Sequence, residues 1–380
     1  MAYIRRRKQK DGTTRFYARY LGADGKYHEE GGYRSRREAE RAGVKREQDA
    51  VRGEWWAPAN GRMSFKDYIE SHYWPTTVHL ELTTRQGYRS TLDHHHLPRF
   101  GAMQMRRITA PVIQAWVNEA AQTALSPRSI VKQHALLHRV FNRAIVDRVV
   151  ALNPCAHTDL PKVVLLPKRI IAVEQFDAIL EGIPARYRTM VLLEIETGLR
   201  WGELIALRPV DIDFSSHTIV VRRTIIEISR KNSPTGERCL VKDHPKDDKQ
   251  RDVQIEHATC NLLREHMVEY GVRADDLLFT SQAGTPISRN NFRKFWLNAV
   301  AGAEVGHKVT FHNLRAAHAS WLLAGGADIV VVQQRLGHRQ IMTTQQYIGT
   351  LPDAGERAIA AFRRIRYGES RNPIGQPGQQ

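Results

Sequence analysis

Apolar positions recur at three- and four-residue spacing from about residue 62 to residue 150, which predicts helices, whereas the first 57 residues and the region after residue 210 carry short runs of strand composition. Near the N-terminus, Arg15 to Leu21 reads as a strand, Gly22 to Gly25 as a turn, and Lys26 to Tyr33 as an antiparallel return. Ser35-Arg36-Arg37-Glu38 is a capping-box pattern that starts a polar helix with a thin apolar stripe. Residues 1–57 therefore predict a small β-sheet plus one helix. In the helical region, Ser64 is expected to cap a helix through Tyr73, and Thr84 one carrying Tyr88 and Leu92. Thr109 with Pro111 opens a helix with Ile113, Trp116, Val117 and Ala120 on one face. Ser126-Pro127 opens another with Ile130, Leu137, Phe141, Ala144 and Ile145 on its apolar side. Residues 62–155 thus predict an all-α bundle, which Asn153-Pro154 ends.

A mixed α+β segment follows a proline-containing linker and runs over residues 168–370. Helices are expected at Ala172 to Ile183, Arg186 to Thr197, Phe311 to Leu323 and Asp328 to Leu336. Strands are expected at His217 to Arg222, Arg238 to Lys242 and Asp252 to Ile255, the last two joined by a polar turn. The Gly-, Pro- and Gln-rich residues 371–380 read as a disordered tail. The fold class is multidomain: a sheet-plus-helix N-terminal domain, an all-α bundle and a mixed α+β domain.

Charge narrows the partners. The chain of 380 residues has 57 Lys plus Arg against 40 Asp plus Glu, a net charge of +17, and residues 1–20 alone hold seven of the cations and one Asp. That basic arm and that excess favour a polyanion, with nucleic acid first. No apolar run is long enough to span a bilayer and no apolar h-region follows the basic N-terminus, so a cytoplasmic chain is expected. Cys155, Cys239 and Cys260 are dispersed and never CxxC, which excludes a zinc knuckle or disulfide framework. His94-His95-His96 cannot aim three consecutive rings at one metal from a helix, so no metal site is expected.

Residues that could do chemistry lie in the third segment. Thr197-Gly198-Leu199-Arg200-Trp201-Gly202-Glu203-Leu204 ends one helix and begins another, placing Arg200 and Glu203 at a helix start that suits an anion; a surface ion pair is the plainer alternative. His312-Asn313-Leu314-Arg315 places a proton-transfer group and a guanidinium one turn apart. Leu336-Gly337-His338 ends a helix, and Tyr347 follows nine residues later.

The ordered series Arg200, Lys246, His312, Arg315, His338, Tyr347 resembles the active-site set of the tyrosine recombinases, the phage integrase family. The carriers are T-G-x-R-x-x-E-L, H-x-L-R, and L-G-H nine residues before the tyrosine. The family's lysine sits in a β-hairpin turn seven residues before an apolar position of the closing strand, a register that Lys246 meets with Val253. One departure is Asn313, where the family usually has Asp.

The resemblance implies a site-specific recombinase that cuts and rejoins DNA through a 3′-phosphotyrosine, with Tyr347 as nucleophile and Arg200, Arg315 and His338 on the phosphate. Lys246 would be the acid for the 5′-oxygen, His312 a proton acceptor or assisting acid, and Glu203 would orient Arg200. Neither ATP nor Mg²⁺ is implied, and no cofactor. Residues 1–57, 62–155 and 168–370 would be arm-binding, core-binding and catalytic domains. Arg5, Arg6, Arg7, Lys8, Arg15 and Arg19, with Arg85, Arg89, Arg128, Lys132 and Arg139 of the bundle, are candidate DNA contacts. Implied partners are double-stranded attachment-site DNA, a tetramer of the chain itself, a host DNA-bending protein and an excisionase, in a bacterial host. A non-catalytic DNA-binding regulator on the same scaffold is the competing reading, and a type IB topoisomerase the nearest chemical one. A pure binder has no need of the full set ending in Tyr347.

Overall fold

The computed structural model describes residues 2–23, 25–51, 60–164, 169–243, 250–337, 340, 359 and 362–363. The chain divides into two compact units, residues 1–164 and 165–380.

The first unit opens with a three-stranded antiparallel sheet, order β1-β2-β3, made of β1 (Tyr3–Lys8), β2 (Thr14–Leu21) and β3 (Tyr27–Tyr33). The basic arm is therefore itself a strand: Arg5 pairs with Tyr17 and Arg7 with Arg15 across β1 and β2. Its arginine run conceals the two-residue alternation, because both faces of the strand carry charge. One sheet face packs Ala18 and Tyr20 with Ala39 of helix α1 (Arg36–Val51). The capping box forms in full: Ser35 Oγ accepts from Glu38 N at 3.1 Å, and Glu38 Oε2 accepts from Ser35 N at 3.3 Å.

The rest of this unit is helical: α2 (Phe65–Tyr68) continues through a π turn at Ile69–Tyr73, followed by α3 (Leu82–Thr91), α4 (Leu97–Phe100), α5 (Ala110–Ala121) and α6 (Pro127–Val146). Ser64 and Ser126 cap α2 and α6 by accepting from Asp67 N and Ser129 N. Thr84 caps nothing; α3 starts two residues earlier behind Glu81, whose carbonyl accepts from Arg85 N at 2.9 Å. Phe65, Leu92, Phe100, Trp116, Leu137 and Phe141 form one core, and Ile145, at the end of the α6 stripe, is 37% exposed.

The second unit contains α7 (Val173–Glu181), α8 (Ala185–Thr197), α9 (Trp201–Leu204), β4 (Ile212–Asp213), β5 (Thr218–Val221), β6 (Thr224–Glu227), β7 (Cys239–Lys242), β8 (Arg251–Gln254), α10 (His257–Glu269), α11 (Arg289–Gly302), α12 (Asn313–Ala324) and α13 (Ile329–Leu336). Met190, Leu204, Ile219, Val253, Phe292, Trp296 and Leu314 share its core.

The strands flanking Lys246 do not pair with each other as expected. β7 pairs with β6 (Thr224↔Lys242) and β8 pairs with β5 (Val221↔Arg251). One continuous stretch, residues 218–227, thus serves as partner to both flanks in succession. The alternation in each flank is satisfied by that shared partner, and the polar segment between them, residues 244–249, lies outside the described residues.

Candidate active site

Two helix C-termini organise the candidate residues, and both are ended by glycine in the left-handed region: Gly198 (φ 61°) after α8 and Gly337 (φ 65°) after α13. These are the glycines of the T-G-x-R and L-G-H motifs. A helix C-terminus leaves carbonyls without intrahelical donors and carries a partial negative charge. Here cations and a histidine supply the donors.

At the end of α13 three successive carbonyls each accept from a different arginine. Arg251 Nε donates to Arg335 O at 2.9 Å, Arg315 Nη2 to Leu336 O at 2.6 Å, and Arg200 Nη2 to Gly337 O at 2.9 Å. At the end of α8, Arg315 Nη1 donates to Gly198 O at 2.5 Å, Arg335 Nη2 to Glu196 O at 2.8 Å, and His318 Nδ1 to Ile195 O at 2.9 Å. Arg200 and Arg315 thus meet on α13, immediately before His338 in the sequence.

Glu203 joins the arginines. Its Oε1 accepts from Arg200 Nη1 at 3.0 Å and Arg251 Nη1 at 3.1 Å, and its Oε2 from Arg251 Nη2 at 2.6 Å and the Arg200 backbone N–H at 2.9 Å. The Arg200–Glu203 pair exists, but not as a surface pair, since Glu203 is 1% exposed. Burial pushes its carboxyl up, yet hydrogen bonding and charge from Arg251, with Arg200 behind, hold it below the ordinary range. Glu194 on α8 is equally buried, and its Oε2 has no hydrogen-bond partner; burial raises this carboxyl well above the usual value, against the opposing charge of Arg315. Burial, then the repulsion of Arg200, brings the Arg315 guanidinium down to about 10.

His312 is exposed at the N-terminal boundary of α12, three residues before buried Arg315. Asn313 fits its place because only acceptor capacity is used there: its Oδ1 accepts from Thr310 N at 2.9 Å and from the Thr310 hydroxyl. Lys246, His338 and Tyr347 lie outside the described residues. The structure therefore brings together Arg200, Arg315 and Glu203 from the sequence-derived set, with His312 on the same helix start as Arg315.

Sequence reading missed Arg251, Glu194, His318 and Arg335. Arg251 shares strand parity with fully buried Val253, so alternation alone points it inward. Glu194 likewise falls on the stripe of Met190, Val191 and Thr197 in α8, where a carboxylate requires a partner.

The candidate DNA contacts are distributed unevenly. The register places Arg5, Arg7, Arg15 and Arg19 on one sheet face with Tyr17 and Tyr27, and exposed Arg6 and Lys8 on the other. Arg7 lies 4.8 Å from the Tyr17 ring centroid and Arg19 4.8 Å from that of Tyr27. Glu29 on β3 pairs with Arg7 at 2.7 Å and Arg5 at 3.7 Å. In the bundle, Arg128, Lys132 and Arg139 are exposed along α6. Arg85 stacks on Trp74, and Arg89 is tied to Glu70 and Asp93.

Comparison with known proteins agrees with this architecture. Residues 169–352 match the Phage integrase family, and residues 64–121 the Phage integrase, N-terminal SAM-like domain. The chain is 26% identical over 338 residues to a putative prophage phiRv2 integrase of Mycobacterium tuberculosis, covering 86% of each. It is 30% identical over 273 residues to tyrosine recombinase XerD of Rickettsia prowazekii, covering 68% of this chain and 84% of that one. Among solved structures, the Tn1549 transposon integrase in complex with transposon right end DNA superposes with a TM-score of 0.65 at 17% identity, covering 80% of this chain and 99% of that chain. A lambda integrase dimer bound to a core site gives 0.54 at 19% identity, covering 90% and 93%. The structural likenesses establish the fold, and with the ordered motifs and the XerD match they make this chain a member of the phage integrase family of tyrosine recombinases.

Proposed function

We propose that this recombinase integrates, and with an excisionase excises, a phage or mobile element by cutting and rejoining duplex DNA at attachment sites. The observation that carries the reading is the convergence of Arg200 and Arg315 on the carbonyl end of α13, with Glu203 fixing Arg200 from below. Arg200 keeps a quarter of its side chain exposed and meets the scissile phosphate directly. Arg315, almost wholly buried, adds its charge through a low-dielectric interior where it is weakly screened.

In the proposed step, Tyr347 Oη attacks phosphorus and its proton passes to His312. The bond from phosphorus to the 5′-oxygen breaks, and that oxygen takes a proton from Lys246. The arginines, with His338, carry the charge that builds on the non-bridging oxygens. A 5′-hydroxyl of a partner duplex then attacks the 3′-phosphotyrosine and releases the tyrosine, so the phosphodiester count is conserved. The reaction as proposed uses side chains alone. Residues 1–57 bind arm-type DNA, residues 62–155 core-type DNA and residues 168–370 catalyse, with a tetramer of the chain and a host DNA-bending protein completing the complex in the bacterial cytoplasm. Among the described residues no helix is long and apolar enough to cross a membrane.

The test traps covalent protein–DNA adduct on a nicked attachment-site duplex in EDTA, comparing the wild type with Tyr347→Phe. Adduct in the wild type alone supports the reading; adduct retained by Tyr347→Phe overturns the choice of nucleophile. Tight, salt-sensitive binding without adduct on the element's own flanking DNA favours the regulator.

A further inference from the structure

Arg251 has a place in the site that the recognised motifs do not give it. It is the first residue of β8, paired with Val221 of β5, and its side chain is 9% exposed. Its guanidinium is committed on two sides: both Nη atoms to the two oxygens of Glu203, and Nε to Arg335 O at the end of α13. The backbone of Gly337 closes over it, since a Cβ at that glycine would lie 3.2 Å from Arg251 Cδ and Nη1. The fork geometry matters here, because a bidentate guanidinium fixes a carboxylate in orientation as well as position, which a point charge cannot do.

Glu203 in turn holds Arg200 by two hydrogen bonds, one to the side chain and one to the backbone. We propose that Arg251 is a positioning residue of the recombinase: it sets Glu203, and through it the Arg200 guanidinium, in register with the carbonyl end of α13, without itself contacting the DNA phosphate. The inference rests on the recombinase reading. It ties three separate elements, the β8 edge, the α9 start and the α13 end, to one buried side chain. A displacement of about 1 Å in a phosphate-binding group is enough to cost on the order of 100-fold in rate.

The test uses the full chain and a nicked duplex on which the wild type gives covalent adduct, which separates a failure of this inference from a failure of the recombinase reading. Arg251→Gln is expected to lower the single-turnover cleavage rate about 100-fold while DNA affinity stays within about twofold and the slope of log K against log salt is unchanged. Glu203→Gln is expected to cost a similar factor, and the double variant no more than the worse single one, because both break the same chain of contacts. Arg251→Lys restores a cation opposite Glu203 without the fork and recovers part of the rate. A salt slope reduced by about one, with matching loss of affinity, would instead assign Arg251 to a phosphate. Multiplicative losses in the double variant, or wild-type rate in Arg251→Gln, also overturn the proposal. Should Arg251→Gln fail to fold, Arg251→Lys carries the same three readouts, with its own partial loss of rate at unchanged salt slope as the expected result and a reduced slope as the overturning one.

Discussion

Arg200 donates from Nη2 to the carbonyl oxygen of Gly337 at 2.9 Å across 137 residues of sequence. This bond joins the start of α9 to the end of α13, and so joins two motifs that each owe their local shape to a glycine. At Gly198, the other glycine, the backbone is left-handed and a Cβ would lie 2.7 Å from His318 Cδ2 and 2.8 Å from Leu336 Cδ2.

Gly198→Ala therefore combines left-handed strain of about 1–2 kcal/mol with a clash against two buried side chains. The expected outcome is a clear loss of stability in denaturant titration, and weaker cleavage at temperatures where the variant is still folded, because the Gly198 carbonyl that holds Arg315 is displaced with it. Wild-type stability and rate in Gly198→Ala would show that the α8 terminus adapts without disturbing Arg315.

Asn313 presents only acceptor capacity to Thr310. Asn313→Asp keeps that acceptor and adds a negative charge at the first residue of α12, where the helix dipole stabilises it by about 0.3–1 kcal/mol. A slightly higher melting temperature and unchanged cleavage are expected. Asn313→Leu removes the acceptor for the exposed Thr310 amide, which turns to water instead, at a cost of about 0.5–1.5 kcal/mol. Thermal melts of the two variants against the wild type check the pair, and equal losses in both would mean that something besides the acceptor is used.

How much of this was legible before the structure depends on the range of the interaction. Glycine-ended helices, the capping box at Ser35 and Glu38 and the H-x-L-R turn are written within a few residues of each other, and they appear where the sequence places them. The strand Tyr3–Lys8 was hidden because Arg5, Arg6, Arg7 and Lys8 are all polar and mask the alternation. The pairing of β7 and β8 with successive parts of one stretch depends on contacts far apart in sequence, which composition does not specify. Arg251 and Arg335 resemble surface cations in the sequence, and only the two carbonyl ends they meet reveal why they turn inward and lie half-buried. Parity with Val253 was the one local signal available for the first of them.

Buried histidines make stability depend on pH. Burial depresses His96 to about 3, and burial with the charge of Arg335 does the same for His318, whose Nε2 accepts from Arg335 Nε at 3.2 Å. A folded-state value below the unfolded one, about 6.5, means that the unfolded chain binds the extra proton between the two. The stabilisation is therefore complete above pH 6.5 and is lost as pH falls toward 3, at up to about 1.4 kcal/mol per pH unit for each histidine. Denaturant titrations from pH 7 to pH 4.5 should show this fall. His96→Gln, which retains a donor for Gln133 O, should reduce its slope; an identical slope in the variant would place the proton uptake elsewhere.

The last expectation concerns the sheet face of β1 to β3, where Arg5, Arg7, Arg15 and Arg19 alternate with Tyr17 and Tyr27. If this face binds arm-type DNA, Arg19→Ala should weaken affinity and lower the salt slope by about one, since one phosphate contact and its released counterion are gone. Glu29 argues in the opposite direction. Its carboxylate sits among these cations, paired to Arg7 and Arg5, and duplex DNA has to displace it or approach past its charge. Glu29→Gln should therefore tighten binding to arm-type DNA, with the gain largest at low salt where the charge is least screened. Weaker binding in Glu29→Gln would mean instead that the ion pairs hold the two arginines in the geometry that DNA requires. Fluorescence anisotropy of the full chain on an arm-site duplex across a salt series distinguishes the two outcomes by the sign of the change.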